Sequence, residues 1–170
     1  ALLTSNIVVT TGGVSVGDYD FVQDVIKDKL KAEVLFHGVN LKPGMHILLA
    51  LKDNKIIVAL PGFAYSSTVC AMLYVLPLIY KFRNSNEKLP LVKARINQDF
   101  SRFQAKTIFT ACNVEYKNGE YQINFDGKKS GTSAILTNML ESPALLIQKE
   151  NSENIKAGDL VDILLLNNLK

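Results

Sequence analysis

The residues with the clearest chemical potential form a glycine-rich segment, T-T-G-G-V-S-V-G-D-Y-D, at positions 10–20. The segment joins a β-branched run to the start of a predicted helix, a place where proteins often bind phosphate. Gly12 and Gly13 would let the backbone approach an anion closely, and Ser15 lies in the same loop. The spacing matches neither a Walker loop nor G-x-G-x-x-G, so a sharp turn capped by aspartates is an equally good interpretation.

Two carboxylates, Asp18 and Asp20, close this segment. Beside a bound phosphate they would repel it unless a divalent cation lay between them. Mg²⁺ suits this arrangement because it accepts one or two carboxylates together with phosphate oxygens and water. We therefore predict that Asp18 and Asp20 are catalytic metal ligands; alternatively, one caps the helix and the other is solvated. His37 and His46 have no carboxylate or cysteine at ligand spacing, so we expect no metal role for them.

Two further turns could contribute to the same site. The segment L-P-G-F-A-Y-S, at positions 60–66, again joins a strand to a helix start. Open α/β sheets bind ligands at the carboxyl ends of their strands, where both glycine turns should lie. Lys42, in the turn Lys42-Pro43-Gly44, is a candidate phosphate contact, although a lone exposed lysine is more often solvated. The second glycine turn is therefore a second possible anion-binding helix end.

The elements around these turns predict a partial, three-layer α/β sheet domain over residues 1–86. Apolar residues between Phe21 and Leu30 fall on one helical stripe, which Asp18 or Asp20 could cap. Because the first strand begins close to the N-terminus, we expect earlier strands of this domain to be missing. Pro77 should end or kink the second helix. The predicted strands are Asn6–Thr10, His46–Leu51 and Lys55–Leu60, and the second helix is Ala64–Lys81. Val34–Leu41 is predicted to be a strand or an extended segment.

Residues 87–170 predict a small all-β barrel or sandwich. The polar, aperiodic segment 83–90 marks the boundary, and we expect a hinge there between separately packed domains. Lys117-Asn118-Gly119 is a strong hairpin signal between two strands. The predicted strands of this half are Val92–Asn97, Thr107–Tyr116, Glu120–Phe125, Leu145–Gln148 and Leu160–Leu166.

Composition argues against several classes of function. The 170 residues carry a net charge of +3, with eight basic and six acidic side chains before residue 87 and eleven and ten from there on. Because no basic stripe is present, nucleic acid is not an expected partner. We expect Cys70 and Cys112 to be reduced, partly buried thiols of a cytoplasmic protein. Pro61-Gly62 and Pro77 interrupt the apolar run from Ile56 to Arg83, so we expect a strand and a buried helix rather than a membrane span.

Three segments together resemble one family. T-T-G-G-V-S-V-G-D-Y-D, H-G-V-N-L-K-P-G and L-P-G-x-x-x-S, in this order and spacing, are similar to those of the molybdopterin molybdenumtransferases, which include the E domain of gephyrin. The resemblance is close from Asn6 to about Phe82 and weaker through S-G-T-S at 130–133 and K-A-G-D-L-V-D-I-L-L at 156–165. It implies an elongated, dimeric, four-domain enzyme, of which this chain would match the third, molybdopterin-binding domain in part and the fourth, a β-barrel.

The resemblance also implies a reaction. The family inserts molybdate into adenylylated molybdopterin with Mg²⁺-dependent release of AMP, and the molybdopterin adenylyltransferase is an expected partner. The acidic positions would be Asp18 and Asp20, and Asp20 is the better match because the aromatic Phe21 follows it. We expect no turnover by this chain alone, because two domains would be missing. The cofactor-binding positions would be Gly12, Gly13, Ser15, Lys42, Pro61, Gly62 and Ser66.

Several positions depart from the family pattern. Met45 replaces the second lysine of the K-P-G-K turn, and Phe63 and Ala64 replace asparagine and proline in the second glycine turn. Lys106 and Ala111 stand where the fourth domain would have two arginines. Three other functions therefore stay open: a molybdopterin adenylyltransferase, against which the predicted β-domain argues, a non-catalytic scaffold of the gephyrin type, and an α/β fragment without activity.

Overall fold

Two β-sheets and one long helix organise the chain in the computed structural model, which describes residues 1–15, 17, 20–101, 105–129, 134–141 and 143–166. The strands, in chain order, are β1 (Ile7–Thr11), β2 (Glu33–His37), β3 (Leu41–Lys42), β4 (Leu48–Lys52), β5 (Lys55–Leu60), β6 (Leu91–Ile96), β7 (Thr107–Lys117), β8 (Glu120–Asn124), β9 (Pro143–Gln148) and β10 (Leu160–Leu165).

The first sheet has the strand order β1-β5-β4-β2. Strands β1 and β5 run parallel, and the other two pairings are antiparallel. Asp53 and Asn54 make the predicted turn between β4 and β5, with φ angles of 49° and 60°. Apolar residues point to both faces of β5: Ile57 and Ala59 pack with Ile26 on one side, while Val58 and Leu60 pack with Cys70 of the long helix on the other. The predicted three-layer α/β sheet is therefore confirmed.

The helices depart from regular α-helical geometry. The first comprises α1 (Val22–Asp24) and a π-helical continuation, Val25–Lys29. The long helix, Ala64–Phe82, comprises α2 (Ala64–Cys70), a π-helical segment (Ala71–Val75) and α3 (Leu76–Phe82). Pro77 does not end this helix. It lies in the first turn of α3, directly after the π-helical segment, where its missing N–H leaves the hydrogen-bonding pattern least affected.

The second sheet is a five-stranded barrel. Its strands follow the order β7-β8-β6-β10-β9, and an additional β7–β9 pairing closes it. Asn118 and Gly119 have φ angles of 53° and 84°, as a tight hairpin turn between β7 and β8 requires. The small β-barrel predicted for this half is thus confirmed. Its core is formed by Ala94, Ile96, Cys112, Ile123, Ala144, Leu146, Val161, Ile163 and Leu165.

The two sheets share a hydrophobic core. The segment Val34–Leu41, predicted to be a strand or an extended segment, is divided between the two sheets: β2 ends at His37, and β3 pairs with the start of β7 in the second sheet. On the long helix, the Tyr65 hydroxyl donates a hydrogen bond to the Phe109 carbonyl of the barrel, 3.1 Å away. Tyr65 and Val69 also pack with barrel residues, so the expectation of separately packed domains is wrong. The boundary between residues 86 and 87 stays a prediction.

The buried thiols lie in both halves. Cys70 and Cys112 are free and have no exposed surface, so they are more buried than predicted. Burial raises the pKa of each thiol to about 12, which makes both poor nucleophiles.

The long helix that carries Cys70 is long and apolar enough to span a membrane, but Tyr65 and Val69 are buried against the barrel. Its assignment as a core helix stays a prediction.

Candidate functional site

The two glycine turns meet at one edge of the first sheet. Because β1 and β5 are neighbouring parallel strands, both turns follow the carboxyl ends of their strands. The Gly12 N–H donates a hydrogen bond to the Leu60 carbonyl at 3.0 Å. A Cβ atom on Gly62 would lie 3.4 Å from the Gly12 Cα, so only small residues allow this approach. The predicted placement of both turns is confirmed.

A cleft of about 340 Å³ opens between these turns. Its volume lies at the lower end of the range for small-molecule sites. Gly12 lies against Gly62 without lining the cleft, and Ser66 is buried in the first turn of α2. Lys42 lies in β3, paired with Ile108, and is not among the lining residues. The cleft is lined by Gly13, Val14, Ser15, Asp20, His46, Pro61, Gly62 and Phe63.

The first glycine turn is held firmly against its surroundings. Gly13 has a φ angle of 66°, and its carbonyl accepts a hydrogen bond from the Val22 N–H at 3.0 Å. A Cβ atom on Gly13 would lie 2.9 Å from Cγ2 of Val22, so a larger residue would displace the helix start. The His37 imidazole lies 3.1 Å from the Val14 carbonyl, and Val14 is buried. The turn is therefore fixed from two sides before any ligand binds.

Asp20 has a structural contact of its own. Its carboxylate oxygen Oδ2 accepts a hydrogen bond from the Gly17 N–H at 2.9 Å, and its own N–H donates to the Gly17 carbonyl. The carboxylate thus holds the loop, whereas α1 begins after Phe21 without any side-chain cap. The prediction that Asp20 could cap this helix is wrong, because its partner lies earlier in the chain. Asp18 lies outside the described residues.

Three residues that line the cleft were not among the predicted site residues: Val14, His46 and Phe63. His46 was considered only for carboxylates nearby in sequence, whereas the fold brings Asp20 to the same cleft. Phe63 is a candidate for the pocket lining from its sequence position, but an aromatic residue lies more often in the core or at the rim of a pocket. The positions of His46 and Phe63 in the sequence could have indicated both residues, because each follows a glycine turn at the ligand-binding edge of the sheet. The Lys106 ammonium lies 2.8 Å from Sδ of Met45, the residue before His46.

Known proteins match both halves of this structure. The family described as a probable molybdopterin binding domain matches residues 1–81. The molybdopterin molybdenumtransferases of Staphylococcus epidermidis and Staphylococcus aureus are each 30% identical over 167 residues, which cover 97% of this chain and 39% of theirs. The chain therefore spans about two fifths of the length of these curated relatives.

Solved structures share the fold. Two structures of the molybdopterin biosynthesis protein moeA from Pyrococcus horikoshii superpose with TM-scores of 0.73 and 0.67, at 24% and 25% identity. They cover 100% and 98% of this chain, which in turn covers 39% and 36% of them. The solved structures share the fold of both halves, and the 30% identity to the staphylococcal enzymes also extends over both halves. The chain is similar to the molybdopterin molybdenumtransferases over 97% of its own length.

Proposed function

We propose that the cleft binds the phosphate groups of adenylylated molybdopterin, in a protein that inserts molybdate and releases AMP with the help of Mg²⁺. The observation that carries this proposal is the pairing of two glycine turns at the carboxyl ends of β1 and β5, with Asp20 at the edge of the cleft between them. Because the chain matches 39% of the length of its curated relatives, the reaction of the whole protein is part of the proposal.

Free backbone donors support an anion in this cleft. Within the described residues, the N–H groups of Gly13, Val14 and Ser15 donate no hydrogen bond. Successive unpaired N–H groups form a concave site that suits phosphate oxygens. The first N–H groups of α2 also lack intrahelical partners, and they follow the Pro61-Gly62 turn that lines the cleft. These donors are fixed before binding, so they can stabilise charge on a phosphate without rearrangement.

The residues present fit a Mg²⁺ ion only in one way. The Oδ2 atom of Asp20 is engaged by Gly17, whereas Oδ1 has no hydrogen bond within the described residues. The described part of the chain holds no group of three potential metal ligands. Asp20 would therefore hold Mg²⁺ through one oxygen, with phosphate and water completing the shell, as is common for this ion. When bound, the ion would neutralise charge on the phosphate that leaves with AMP.

Binding without catalysis is the second candidate, and Met45 favours it. The residue stands where the resemblance implies a second lysine, and it contacts Lys106 rather than lining the cleft. A site without that cation could hold the substrate less tightly or in another geometry. Release of AMP distinguishes the two candidates, because a scaffold would bind the adenylylated substrate and leave it intact.

The test of the proposed function is Asp20→Asn, with Asp24→Asn as the control. Asp24 is an exposed acid of α1 and does not line the cleft. In the whole protein, we expect Asp20→Asn to slow Mg²⁺-dependent AMP release at least about tenfold, or roughly 1.4 kcal/mol of barrier. Asp24→Asn should leave the rate unchanged, and Asp18→Asn should slow it less than Asp20→Asn does.

The same variants separate a metal ligand from a loop anchor. An asparagine at position 20 can still accept the Gly17 hydrogen bond, so we expect the melting temperature to change by less than about 2 °C. If Asp20→Asn melts early while AMP release stays intact, Asp20 only holds the loop and the metal role is wrong.

A further inference from the structure

Phe63 combines two locally unfavourable features. It occupies the N-cap of α2, with an extended backbone at ψ 128°, but it makes no side-chain hydrogen bond to the helix. Serine, threonine, aspartate and asparagine are preferred at this position because a side-chain oxygen satisfies a free N–H. In addition, 62% of its surface is exposed. Neither helix capping nor core packing therefore explains a phenylalanine here.

The ring is available to a ligand. The aromatic contacts among the described residues join Phe36 with Tyr74, Phe100 with Phe125 and Tyr116 with Tyr121, and they do not involve Phe63. Phe63 instead lines the cleft, together with the first glycine turn. An aromatic ring on the wall of a cleft offers a flat apolar surface, and planar heterocycles stack on such surfaces whatever their hydrogen-bonding pattern.

We propose that Phe63 is the stacking surface for a fused, planar heteroaromatic ring whose attached phosphate lies on the free N–H groups of residues 13–15. This inference rests on the proposed function and names the part of the cleft that takes the ring. Adenine and pterin share the required chemistry, since both are flat, fused nitrogen heterocycles. The volume of the cleft, about 340 Å³, is sufficient for one such ring with its phosphate.

The test measures two properties of Phe63→Asn that should change in opposite directions. We expect affinity for AMP to fall about tenfold, because stacking on an aromatic side chain is lost. Affinity for ribose 5-phosphate, which has no ring to stack, should not change. The melting temperature should rise by about 2 °C, because asparagine can cap α2. Phe63→Trp should keep or strengthen AMP binding.

Phe82→Asn is the matched control. Phe82 is 46% exposed at the end of α3 and does not line the cleft, so this change should leave AMP affinity unaltered. Neopterin in place of AMP tells whether the pterin is the stacked ring. Phe63-dependent binding of either compound supports the proposal.

Three results would overturn the stacking role. The first is an equal loss of affinity for AMP and for ribose 5-phosphate in Phe63→Asn. The second is unchanged binding of AMP and neopterin by that variant. The third is that the wild-type chain binds neither AMP nor neopterin. If ribose 5-phosphate fails to bind while AMP binding depends on Phe63, the stacking role stands and the proposed phosphate site fails instead.

Discussion

At the scale of single residues, some of the residues that line the cleft could be predicted from the sequence and others could not. Gly13, Ser15 and Asp20 could be predicted, because glycine turns and carboxylates carry a chemical signal in the sequence itself. His46 could not, because its neighbours in the cleft come from distant parts of the chain. Phe63 could be considered for the pocket lining but not predicted to lie there, since an aromatic residue usually indicates core packing. The type of a residue therefore indicates the polar residues of a binding site more reliably than the apolar residues that line the same site.

A buried amide without partners gives a prediction about stability. Gln148 of β9 is 1% exposed, and neither its Nε2 nor its Oε1 atom has a hydrogen-bond partner among the described residues. A buried polar group without partners destabilises the folded state by about 1 to 3 kcal/mol. Gln148→Met keeps the shape and removes the polar atoms, so we expect it to raise the free energy of unfolding by about 1 kcal/mol in urea titrations.

Asn138 provides the opposite case for the same measurement. It is 4% exposed, but its side-chain amide accepts a hydrogen bond from the Lys129 N–H at 2.9 Å and donates one to the Lys129 carbonyl at 2.7 Å. Asn138→Leu should therefore lower the free energy of unfolding by about 1 to 3 kcal/mol. If Gln148→Met also destabilises the protein, a water molecule pairs with Gln148 in solution.

At the scale of elements, the sequence predicted the helices and strands that depend on local pattern, but not those that depend on contacts with distant parts of the chain. The β7–β8 hairpin and the long helix lie close to their predicted bounds, because turn residues and apolar periodicity are local properties. The π-helical segment before Pro77 was not predicted, since the usual expectation is that proline ends a helix. Strand β3 was also missed, because its partner β7 follows much later in the sequence.

Gly44 makes the contact between the K-P-G turn and the long helix testable. Its φ angle is 106°, and a Cβ atom there would lie 2.2 Å from Sγ of Cys70. Cys70 has no exposed surface and cannot move aside easily. We expect Gly44→Ala to lower the free energy of unfolding by about 3 kcal/mol or more, since backbone strain and overpacking add. Thermal or urea unfolding measures this loss.

Gly119 is the matched control, with a φ angle of 84° and no atom within 4 Å of the added Cβ. Gly119→Ala should lower the free energy of unfolding by only about 1 kcal/mol, because strain acts there without a clash. Equal effects of the two substitutions would mean that the helix moves to accommodate residue 44 and that the contact with Cys70 is not tight.

At the scale of the whole molecule, the sequence indicated two units but not their common core. Composition and element type change near residue 86, and the structure has a mixed α/β sheet before this point and a barrel after it. The sequence did not show that Tyr65 and Val69 of the long helix pack against the barrel. An apolar helix face shows that something covers it, but not which of two sheets does so.

This shared core predicts that cutting the linker will not separate the halves. A protease site inserted between Asn86 and Glu87, in the exposed part of segment 83–90, should be cleaved readily. We expect the two fragments to elute together in gel filtration and to unfold in one transition, because the β3–β7 pairing and the packing of Tyr65 and Val69 against the barrel persist. Separate elution of folded fragments would show that the halves pack independently, as the composition alone suggested.

Removal of the Tyr65 hydroxyl tests the same contact between the two halves at a single hydrogen bond. Tyr65→Phe removes a buried hydrogen bond to the Phe109 carbonyl, so we expect it to lower the free energy of unfolding by about 1 kcal/mol and to weaken the association of the cut fragments. Tyr116→Phe removes a hydrogen bond of the same length, from an exposed hydroxyl to the Gly119 carbonyl within the barrel hairpin. It should leave fragment association unchanged. If both substitutions weaken it equally, the contact between the long helix and β7 does not hold the two halves together.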